Sequence, residues 1–265
     1  MTKNTFRFER VAYRYGRDEW IFRNIDFSVD IGESIVLLGA NGSGKSTLLK
    51  MMCGLNFPSA GRFLAFDQEI TEDNLENDLA AKEYHRRVGF VFQNSDAQLF
   101  TTSVWDEIAF GPLQIGLKRD EVRTRVGDVM EMFGISNLAD RSPYRLSGGE
   151  KKKVALASVL VLDPEVLILD EPTNGLDPKT QRWLTDFLLE LNHQGRTIVV
   201  ATHNLELAHA IADRALVLSE DHRLIFDGPT REALSNRELL LEVNLIDEYF
   251  HMHEGERHIH RYSHN

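Results

Sequence analysis

The segment at residues 39–46, which reads G-A-N-G-S-G-K-S, constrains the fold more than any other part of the sequence. The apolar run S-I-V-L-L comes directly before it, and T-L-L-K-M-M comes directly after it. The segment therefore joins a buried strand to a helix. Glycines at such a turn let backbone N–H groups approach phosphate oxygens, and the helix N-terminus adds a favourable dipole. The segment therefore predicts an α/β fold with a phosphate-binding loop at the end of a strand.

Two side chains of this loop have chemistry suited to a nucleoside triphosphate. Lys45 is placed to neutralise the β- and γ-phosphates, and the hydroxyl of Ser46 is placed to hold Mg²⁺. A glycine-rich turn without a ligand is the alternative, and the flanking strand and helix argue against it. The residues predicted to surround a bound nucleotide are Gly39, Ala40, Asn41, Gly42, Ser43, Gly44, Lys45, Ser46 and Thr47.

Strand and helix patterns alternate along the rest of the chain, as in α/β proteins. Continuous apolar runs predict buried parallel strands, at residues 34–38, 88–92, 166–169 and 197–201. Period-two alternation predicts antiparallel strands, at residues 6–15 and 25–31. We therefore predict a P-loop core of residues 1–228, with an antiparallel edge sheet and a helical subdomain near residues 94–160, followed by a C-terminal extension at residues 229–265.

Composition and charge narrow the classes of function. The chain has 265 residues, with 41 acidic residues against 30 basic ones and a formal net charge of -11. A surface of that sign repels nucleic acid, so no nucleic-acid partner is expected. The single cysteine, Cys53, cannot form an internal disulfide. No apolar run is long enough to span a membrane, so we expect a protein that stays in the cytoplasm.

An acidic pair ends the apolar run at residues 166–171, which reads V-L-I-L-D-E. Asp170 is predicted to orient Mg²⁺ or its water shell, while Glu171, just past the strand, can face the γ-phosphate. Glu171 is the candidate general base that polarises the attacking water, beside a metal ion that holds the opposing charge. A solvated acidic turn before Pro172 is the alternative, and the phosphate-binding loop upstream disfavours it.

The segment L-S-G-G-E at residues 146–150 resembles the signature of the ABC ATPase family. A serine followed by two glycines at a helix start offers a hydroxyl and N–H groups to an anion. In that family this second phosphate-binding end contacts ATP held by another subunit. The resemblance covers roughly residues 6–228 and implies an ABC-type ATPase that binds ATP and Mg²⁺. It also implies a second ABC ATPase chain, in a homodimer or a heterodimer, whose ATP contacts Ser147, Gly148 and Gly149.

Other positions match the family in order. Gln93 resembles the Q-loop glutamine, which is expected to act in catalysis and to bind Mg²⁺, and Asp177 lies in N-G-L-D, which is similar to the D-loop. His203, in A-T-H-N, resembles the switch histidine that hydrogen-bonds the γ-phosphate. Tyr15 resembles the aromatic residue that stacks on adenine. Tyr13 competes with it, because period-two alternation places both on one face of a strand.

The sequence after Gln93 narrows the resemblance to one group within the family. N-S-D-A-Q-L-F, followed by V-W-D-E-I-A-F-G-P, resembles the energy-coupling-factor ATPases, which typically show N-P-D-D-Q-L-F here. Ser95 and Ala97 depart from that pattern, so the contact with a membrane partner is expected to differ in detail. An apolar lip for a partner helix is predicted at Gln98, Leu99 and Phe100, with core packing as the alternative for Leu99. The resemblance implies integral membrane transport subunits as partners and a peripheral location on the cytoplasmic face of the cell membrane.

Two further features of the sequence are Lys153 and the histidine-rich last 15 residues. Family members commonly carry Arg at the position of Lys153, so any salt bridge formed there is expected to be looser. The last 15 residues are rich in histidine, a composition suited to Ni²⁺, Co²⁺ or Zn²⁺, and a polar terminus without a ligand is the alternative. The predicted metal ligands there are His251, His253, His258 and His260. The energy-coupling-factor group contains importers of cobalt, nickel and vitamins, so this segment favours a transition-metal cargo. A vitamin importer ATPase and a soluble ABC ATPase outside transport are the alternatives.

Overall fold

A computed structural model describes residues 4–16 and 19–246 of the chain. The predicted metal-binding histidines, His251, His253, His258 and His260, lie outside these described residues. In the described part of the chain, no helix has both the length and the apolar character needed to cross a bilayer.

The described residues form a four-stranded sheet and a six-stranded sheet. In chain order the strands are β1 (Asn4–Arg14), β2 (Trp20–Asp30), β3 (Ser34–Leu38), β4 (Ala60–Ala65), β5 (Gln68–Glu69), β6 (Val88–Val91), β7 (Val166–Asp170), β8 (Thr197–Ala201), β9 (Arg214–Leu218) and β10 (Leu224–Pro229). The smaller sheet is antiparallel, in the order β2-β1-β4-β5. The larger sheet has the order β10-β9-β3-β8-β7-β6, and its strands are parallel except for β10.

Helices connect the strands and cover the larger sheet. In chain order they are α1 (Lys45–Met52), α2 (Glu72–Leu75), α3 (Asp78–Arg87), α4 (Ser95–Gln98), α5 (Val104–Gln114), α6 (Arg119–Met132), α7 (Gly148–Leu160), α8 (Pro178–His193), α9 (Leu205–Ile211), α10 (Thr230–Ser235) and α11 (Arg237–Glu242). Side-chain oxygens of Ser103, Ser147 and Asp177 accept backbone N–H groups at the starts of α5, α7 and α8, which is why those helices begin there. Helices α4 to α7 lie in the region where the helical subdomain is predicted.

Alternate residues of the central strands face two different layers of the core. In β3, Ile35 and Leu37 pack with the aromatic residues of the antiparallel sheet, whereas Val36 and Leu38 pack against the helices. Phe8 belongs to the aromatic layer, where its ring stacks on another phenylalanine at a centroid distance of 4.4 Å. Both faces of the central strands are therefore buried, which explains why they are continuous apolar runs.

The predicted α/β core with an antiparallel edge sheet and a helical region is confirmed, although the strands differ in part from those predicted. Strand β2 begins at Trp20 rather than near residue 25, because bulges interrupt its pairing with β1 and break the period-two pattern. Arg10 and Asn24, at φ 48° and 57°, lie at this irregular pairing. Four strands were not predicted, namely β4, β5, β9 and β10, although β4 pairs with β1 and β9 pairs in parallel with β3.

Candidate active site

Five parallel strands end at one edge of the larger sheet, and the predicted site residues follow four of those ends. Ala201 of β8 is aligned with Leu37 of β3 on one side and with Asp170 of β7 on the other. Open α/β sheets bind their ligands at this carboxyl edge. The segments that leave the sheet here carry the glycine-rich loop after β3, Gln93 after β6, Glu171 after β7 and His203 after β8.

Close packing requires glycine at two positions of the loop. Gly39 has φ 150°, and a Cβ atom there would lie 2.5 Å from the carbonyl oxygen of Leu218. Gly44, the N-cap of α1, has φ 100°, and a Cβ atom there would lie 2.6 Å from the ring of Phe22. Side chains at these positions would push the loop away from the sheet. Glycine thus keeps the N–H groups at the start of α1 open to an anion.

Lys45 lies in the loop and is only 6% exposed. Its Nζ donates hydrogen bonds to the carbonyl oxygens of Gly39 at 2.7 Å and Ala40 at 2.9 Å. Burial lowers the pKa of Lys45, and the nearby carboxylates of Glu171 and Asp170 act in the opposite direction. The side chain is therefore held at the loop, where its ammonium group can exchange carbonyl partners for phosphate oxygens.

Asp170 ends β7 with a carboxylate that is suited to a cation. Burial raises the pKa of Asp170, while a hydrogen bond with Ser46 and the charge of Lys45 lower it. Within the described residues, its Oδ1 is buried and has no hydrogen-bond partner. A buried, unpartnered carboxylate oxygen beside a hydroxyl fits Mg²⁺, which prefers oxygen ligands. Asp170 and Ser46 would hold the ion, which would neutralise charge on the phosphate oxygens.

Glu171 follows Asp170 and is held from several sides while being only 4% exposed. Its backbone N–H donates to the carbonyl oxygen of Ala201 at 2.8 Å, and its Oε2 accepts from Thr202 Oγ1 at 3.0 Å. Its φ is 42°, a left-handed conformation that is strained for a residue other than glycine and common at functional sites. The contacts fix the orientation of a carboxylate that could act as a general base.

His203 lies against the same carboxylate, with its Nδ1 2.8 Å from Glu171 Oε1. An ionised carboxylate only accepts hydrogen bonds, so Nδ1 carries the proton in this contact. The side chain of His203 is 48% exposed, and Nε2 is the ring nitrogen that a phosphate could reach. Thr202 was not predicted as part of the site. Its position between strand β8 and His203, in A-T-H-N, is the sequence signal that could have indicated it.

The two tyrosines of the first strand differ in exposure. Tyr13 is 8% exposed and packs in the aromatic layer, whereas Tyr15 is 43% exposed. The hydroxyl oxygen of Tyr15 lies 3.3 Å from Oγ1 of Thr47, which directly follows the loop. Period-two alternation no longer applies because β1 ends at Arg14. Burial excludes Tyr13 as a stacking platform, so Tyr15 is the ring that an adenine base could reach.

The L-S-G-G-E segment forms the start of α7. Ser147 and Glu150 cap the helix reciprocally, with the backbone N–H of Ser147 donating to the Glu150 carboxylate at 2.8 Å. These contacts with Ser147 lower the pKa of Glu150. Gly149 packs beside Thr180, because a Cβ atom on it would lie 3.1 Å from Thr180 Oγ1. Among the described residues, no hydrogen bond joins Ser147, Gly148 or Gly149 to the glycine-rich loop of the same chain.

Within the described residues, neither Asp177 nor Gln93 makes a hydrogen bond to the residues around Lys45. The Asp177 carboxylate caps α8, accepting from the backbone N–H of Lys179 at 2.9 Å and from the hydroxyl of Thr180 at 2.6 Å. Hydrogen bonds from Thr180 lower the pKa of Asp177. Gln93 is exposed, and its side chain makes no hydrogen bond within the described residues. The structure leaves its amide available to a ligand at the carboxyl edge.

The structure decides between alternatives at two side chains. Lys153 makes no salt bridge within the described residues. Its Nζ donates to the carbonyl oxygen of Phe133 at 3.2 Å and lies 4.8 Å from the ring centroid of Trp183, so its partners are a helix end and an aromatic face rather than a carboxylate. Leu99 is 3% exposed and packs in the helical layer of the core, so the core-packing alternative holds and Leu99 is not part of an exposed lip.

A lysine and helix N-terminus for phosphates, next to a carboxylate for a metal ion, define the P-loop nucleoside triphosphatases, and this fold and site place the chain in that class. The family model for ABC transporters matches residues 22–174. The chain is 49% identical over 251 residues to an ABC transporter ATP-binding protein of Methanosarcina acetivorans, covering 94% of this chain and 91% of the relative. The chain belongs to the ABC transporter family of ATP-binding proteins and is an ATPase.

Two further comparisons are more specific. The chain is 48% identical over 225 residues to the nickel import ATP-binding protein NikO of Rhodobacter capsulatus, covering 84% of this chain and 88% of that protein. The structure of cbiO1 from Clostridium perfringens, part of the ABC transporter complex cbiONQ, matches with a TM-score of 0.78 and 36% identity, over 92% of this chain and 95% of that one. A relative named energy-coupling factor transporter ATP-binding protein EcfA2, of Methanospirillum hungatei, is 41% identical over 235 residues, covering 89% of this chain and 58% of that protein, which agrees with the resemblance drawn from the sequence.

Proposed function

We propose that this ATPase powers the import of a transition-metal cation, nickel or cobalt, through integral membrane subunits. The similarity to a nickel import ATP-binding protein over 84% of the chain carries the proposal. The histidine-rich segment at residues 251–264, which lies outside the described residues, has the composition expected for such a cargo. In this function the chain works on the cytoplasmic face of the membrane, as a dimer with itself or with a homologous ATPase. Mg²⁺ bound by Ser46, Asp170 and Gln93 accompanies ATP.

An exposed aromatic surface beside the Q-loop supports the coupling to a membrane subunit. Phe100 is 58% exposed, Phe110 is 42% exposed, and their rings meet edge to face at 5.0 Å. Leu113, one turn of α5 further on, is 50% exposed. The Glu107 carboxylate accepts the backbone N–H groups of Phe100 at 3.0 Å and of Thr101 at 2.9 Å, so the surface is preformed. An amphipathic helix of a membrane subunit fits such an apolar surface.

Replacing Phe100 and Phe110 together by Asp is expected to release the chain from its membrane subunits and to abolish nickel or cobalt uptake. Two charges placed in the apolar surface would have to be desolvated against the partner helix. The measurement is uptake of radioactive nickel and cobalt by cells that express the transporter, together with co-purification of the membrane subunits. Basal ATP hydrolysis by the purified double variant is expected to stay within about twofold of that of the original chain, because the surface lies outside the ATP site.

The matched control is Leu79→Asp, which changes a side chain that is 79% exposed on α3 to the same charge. It is expected to leave uptake and co-purification unchanged. If the cells took up a vitamin instead of nickel or cobalt, the proposed cargo would be wrong and the proposed coupling to membrane subunits would stand. Retention of uptake and of the membrane subunits by the double variant would remove the coupling surface from the proposal.

Ser147→Arg is expected to spare ATP binding by the isolated chain and to lower hydrolysis by about a hundredfold or more, because Ser147 is proposed to serve ATP on the other subunit. A long cation there would also remove the helix cap that Ser147 shares with Glu150. ATP affinity and steady-state hydrolysis would be measured on the same preparation. Met132→Arg, at an exposed position of α6, controls for the added charge. A site shared between subunits also predicts that the specific activity of the original protein falls on dilution. A specific activity that stays constant on dilution would contradict the shared site.

A further inference from the structure

Lys152 has surroundings that its sequence does not suggest. It is the middle residue of the run K-K-K after the L-S-G-G-E segment, where a solvated charged face would be expected. In the structure Lys152 is 2% exposed, among the most buried large side chains of the described residues. Helix α7 turns this one lysine inward, towards the end of strand β6.

The ammonium group of Lys152 meets the backbone at the point where the Q-loop begins. Its Nζ donates to the carbonyl oxygen of Phe92 at 3.3 Å and to that of Gln93 at 3.4 Å. Within the described residues, Lys152 forms no salt bridge. Burial lowers the pKa of Lys152 to about 8, and the charge of Asp170 acts in the opposite direction. The two carbonyl oxygens are the hydrogen-bond partners of the Lys152 side chain within the described residues.

A second side chain holds Phe92 through its backbone N–H group. The backbone N–H of Phe92 donates to Gln98 Oε1 at 3.2 Å, and Gln98 Nε2 donates to the carbonyl oxygen of Ala155 in α7 at 2.8 Å. Lys151 of α7 also pairs with Asp96 at 2.6 Å. The backbone around Gln93 is thus tied to the helix that begins at the L-S-G-G-E segment, directly through Lys152 and indirectly through Gln98.

Burying an ammonium group is unfavourable unless hydrogen bonds or an opposite charge offset the loss of water. An apolar side chain of similar length would fill the same space without that cost. Lys152 forms no ion pair within the described residues, and what its side chain supplies directly is a set of hydrogen-bond donors for the Phe92 and Gln93 carbonyls. Those donors fix the backbone from which the Gln93 side chain projects.

We propose that Lys152 is a positioning residue for Gln93, holding the start of the Q-loop against α7 so that the Gln93 amide reaches the metal ion and the attacking water. The proposal rests on the proposed role of Gln93 in the ATP site. Because Ser147 begins the same helix, a shift of α7 when its N-terminus meets ATP on the other subunit would be passed through Lys152 to Gln93. Completion of one ATP site would thereby adjust the Q-loop of the other.

The test is a double-mutant cycle on the full chain, with the variants Lys152→Met, Gln93→Ala and both together. Methionine keeps the length of the side chain and removes its donors. We expect Lys152→Met to lower kcat by about tenfold while changing KM for ATP by less than about twofold, because ATP affinity comes from the loop around Lys45. In the Gln93→Ala background the same change is expected to have no further effect, because Lys152 then has no side chain to position.

Two conservative variants and one neighbour complete the experiment. Lys152→Arg keeps charged donors and is expected to restore at least about half of the lost activity, and Lys152→Gln, which keeps one neutral donor, replaces the methionine variant if that chain does not fold. The control is Lys153→Met, because the ammonium group of Lys153 contacts Phe133 and Trp183 instead of the Q-loop. This variant is expected to leave kcat unchanged. Thermal unfolding of each variant separates loss of fold from loss of turnover.

Each outcome has a distinct meaning. If Lys152→Met lowers kcat equally in the original chain and in the Gln93→Ala background, Lys152 has a general structural role and the proposal is overturned. Unchanged kcat in Lys152→Met would do the same. Unchanged kcat in Gln93→Ala would instead overturn the role of Gln93 itself, on which the proposal depends. Transport is not measured in this cycle, so its outcome is independent of the metal cargo.

Discussion

Glu171→Gln is expected to lower ATP turnover by about a hundredfold or more while leaving ATP bound. The amide has the shape of the carboxylate and can keep both of its neighbours, with its oxygen accepting from Thr202 and its nitrogen donating to His203 in the other tautomer. The amide cannot take a proton from water, so the loss falls on the chemical step. ATP held without hydrolysis is expected to accumulate in a dimer, because the proposed arrangement places each ATP between two subunits.

Turnover, ATP affinity and the size of the protein in the presence of ATP and Mg²⁺ would be measured together. Glu165→Gln is the matched control, because Glu165 precedes β7 and its exposed carboxylate pairs with Arg87 at 2.7 Å. That variant is expected to keep turnover within about twofold, since exposed ion pairs contribute little. Turnover of Glu171→Gln within a few-fold of the original, on the order of 1 kcal/mol in the barrier, would place the general base elsewhere.

Lys45→Ala is expected to weaken ATP binding by about tenfold to a hundredfold, because each hydrogen bond to a charged group is worth roughly 1.5–3 kcal/mol. The Lys45 ammonium group is already positioned at the loop by the carbonyl oxygens of Gly39 and Ala40, so little ordering is needed when phosphates arrive. Its removal leaves the terminal phosphates facing the carboxylates of Asp170 and Glu171 without that charge. Hydrolysis is expected to fall with affinity, since the same charge stabilises the transferred phosphate.

Equilibrium binding of ATP, measured by titration calorimetry with and without Mg²⁺, tests this expectation. Lys50→Ala is the control, because Lys50 lies in the last turn of the same helix α1. If affinity fell equally in both variants, net charge rather than a specific phosphate contact would account for it. Unchanged affinity in Lys45→Ala would contradict the assignment of the glycine-rich loop as the phosphate site.

Much of the fold was predictable because the central strands are buried on both faces. Their continuous apolar runs identify them, and β3 and β8 have the bounds that the sequence indicates. The antiparallel sheet was less predictable, because bulges between β1 and β2 shift the register and hide where β2 begins. The alternation of apolar and polar residues along one strand does not reveal such register shifts, because the shifts depend on the partner strand.

The sequence by itself determined the parts of the site that are local in the chain. The phosphate-binding loop, the Asp170–Glu171 pair and the helix start at Ser147 are contiguous segments, in which residue type and neighbouring turn geometry define the chemistry. Their order along the chain also carried the resemblance to ABC ATPases, which the comparisons confirm.

Only the tertiary structure decided which side chains are buried and what lies across from them. Tyr13 packs in the aromatic layer while Tyr15 stays exposed, and Lys152 turns inward while its neighbours in the same run do not share its contacts. Thr202 reaches Glu171 across adjacent strands. These contacts join residues far apart in the chain, and a side chain's burial depends on the packing of all the elements around it. Spacing along one segment therefore cannot specify them.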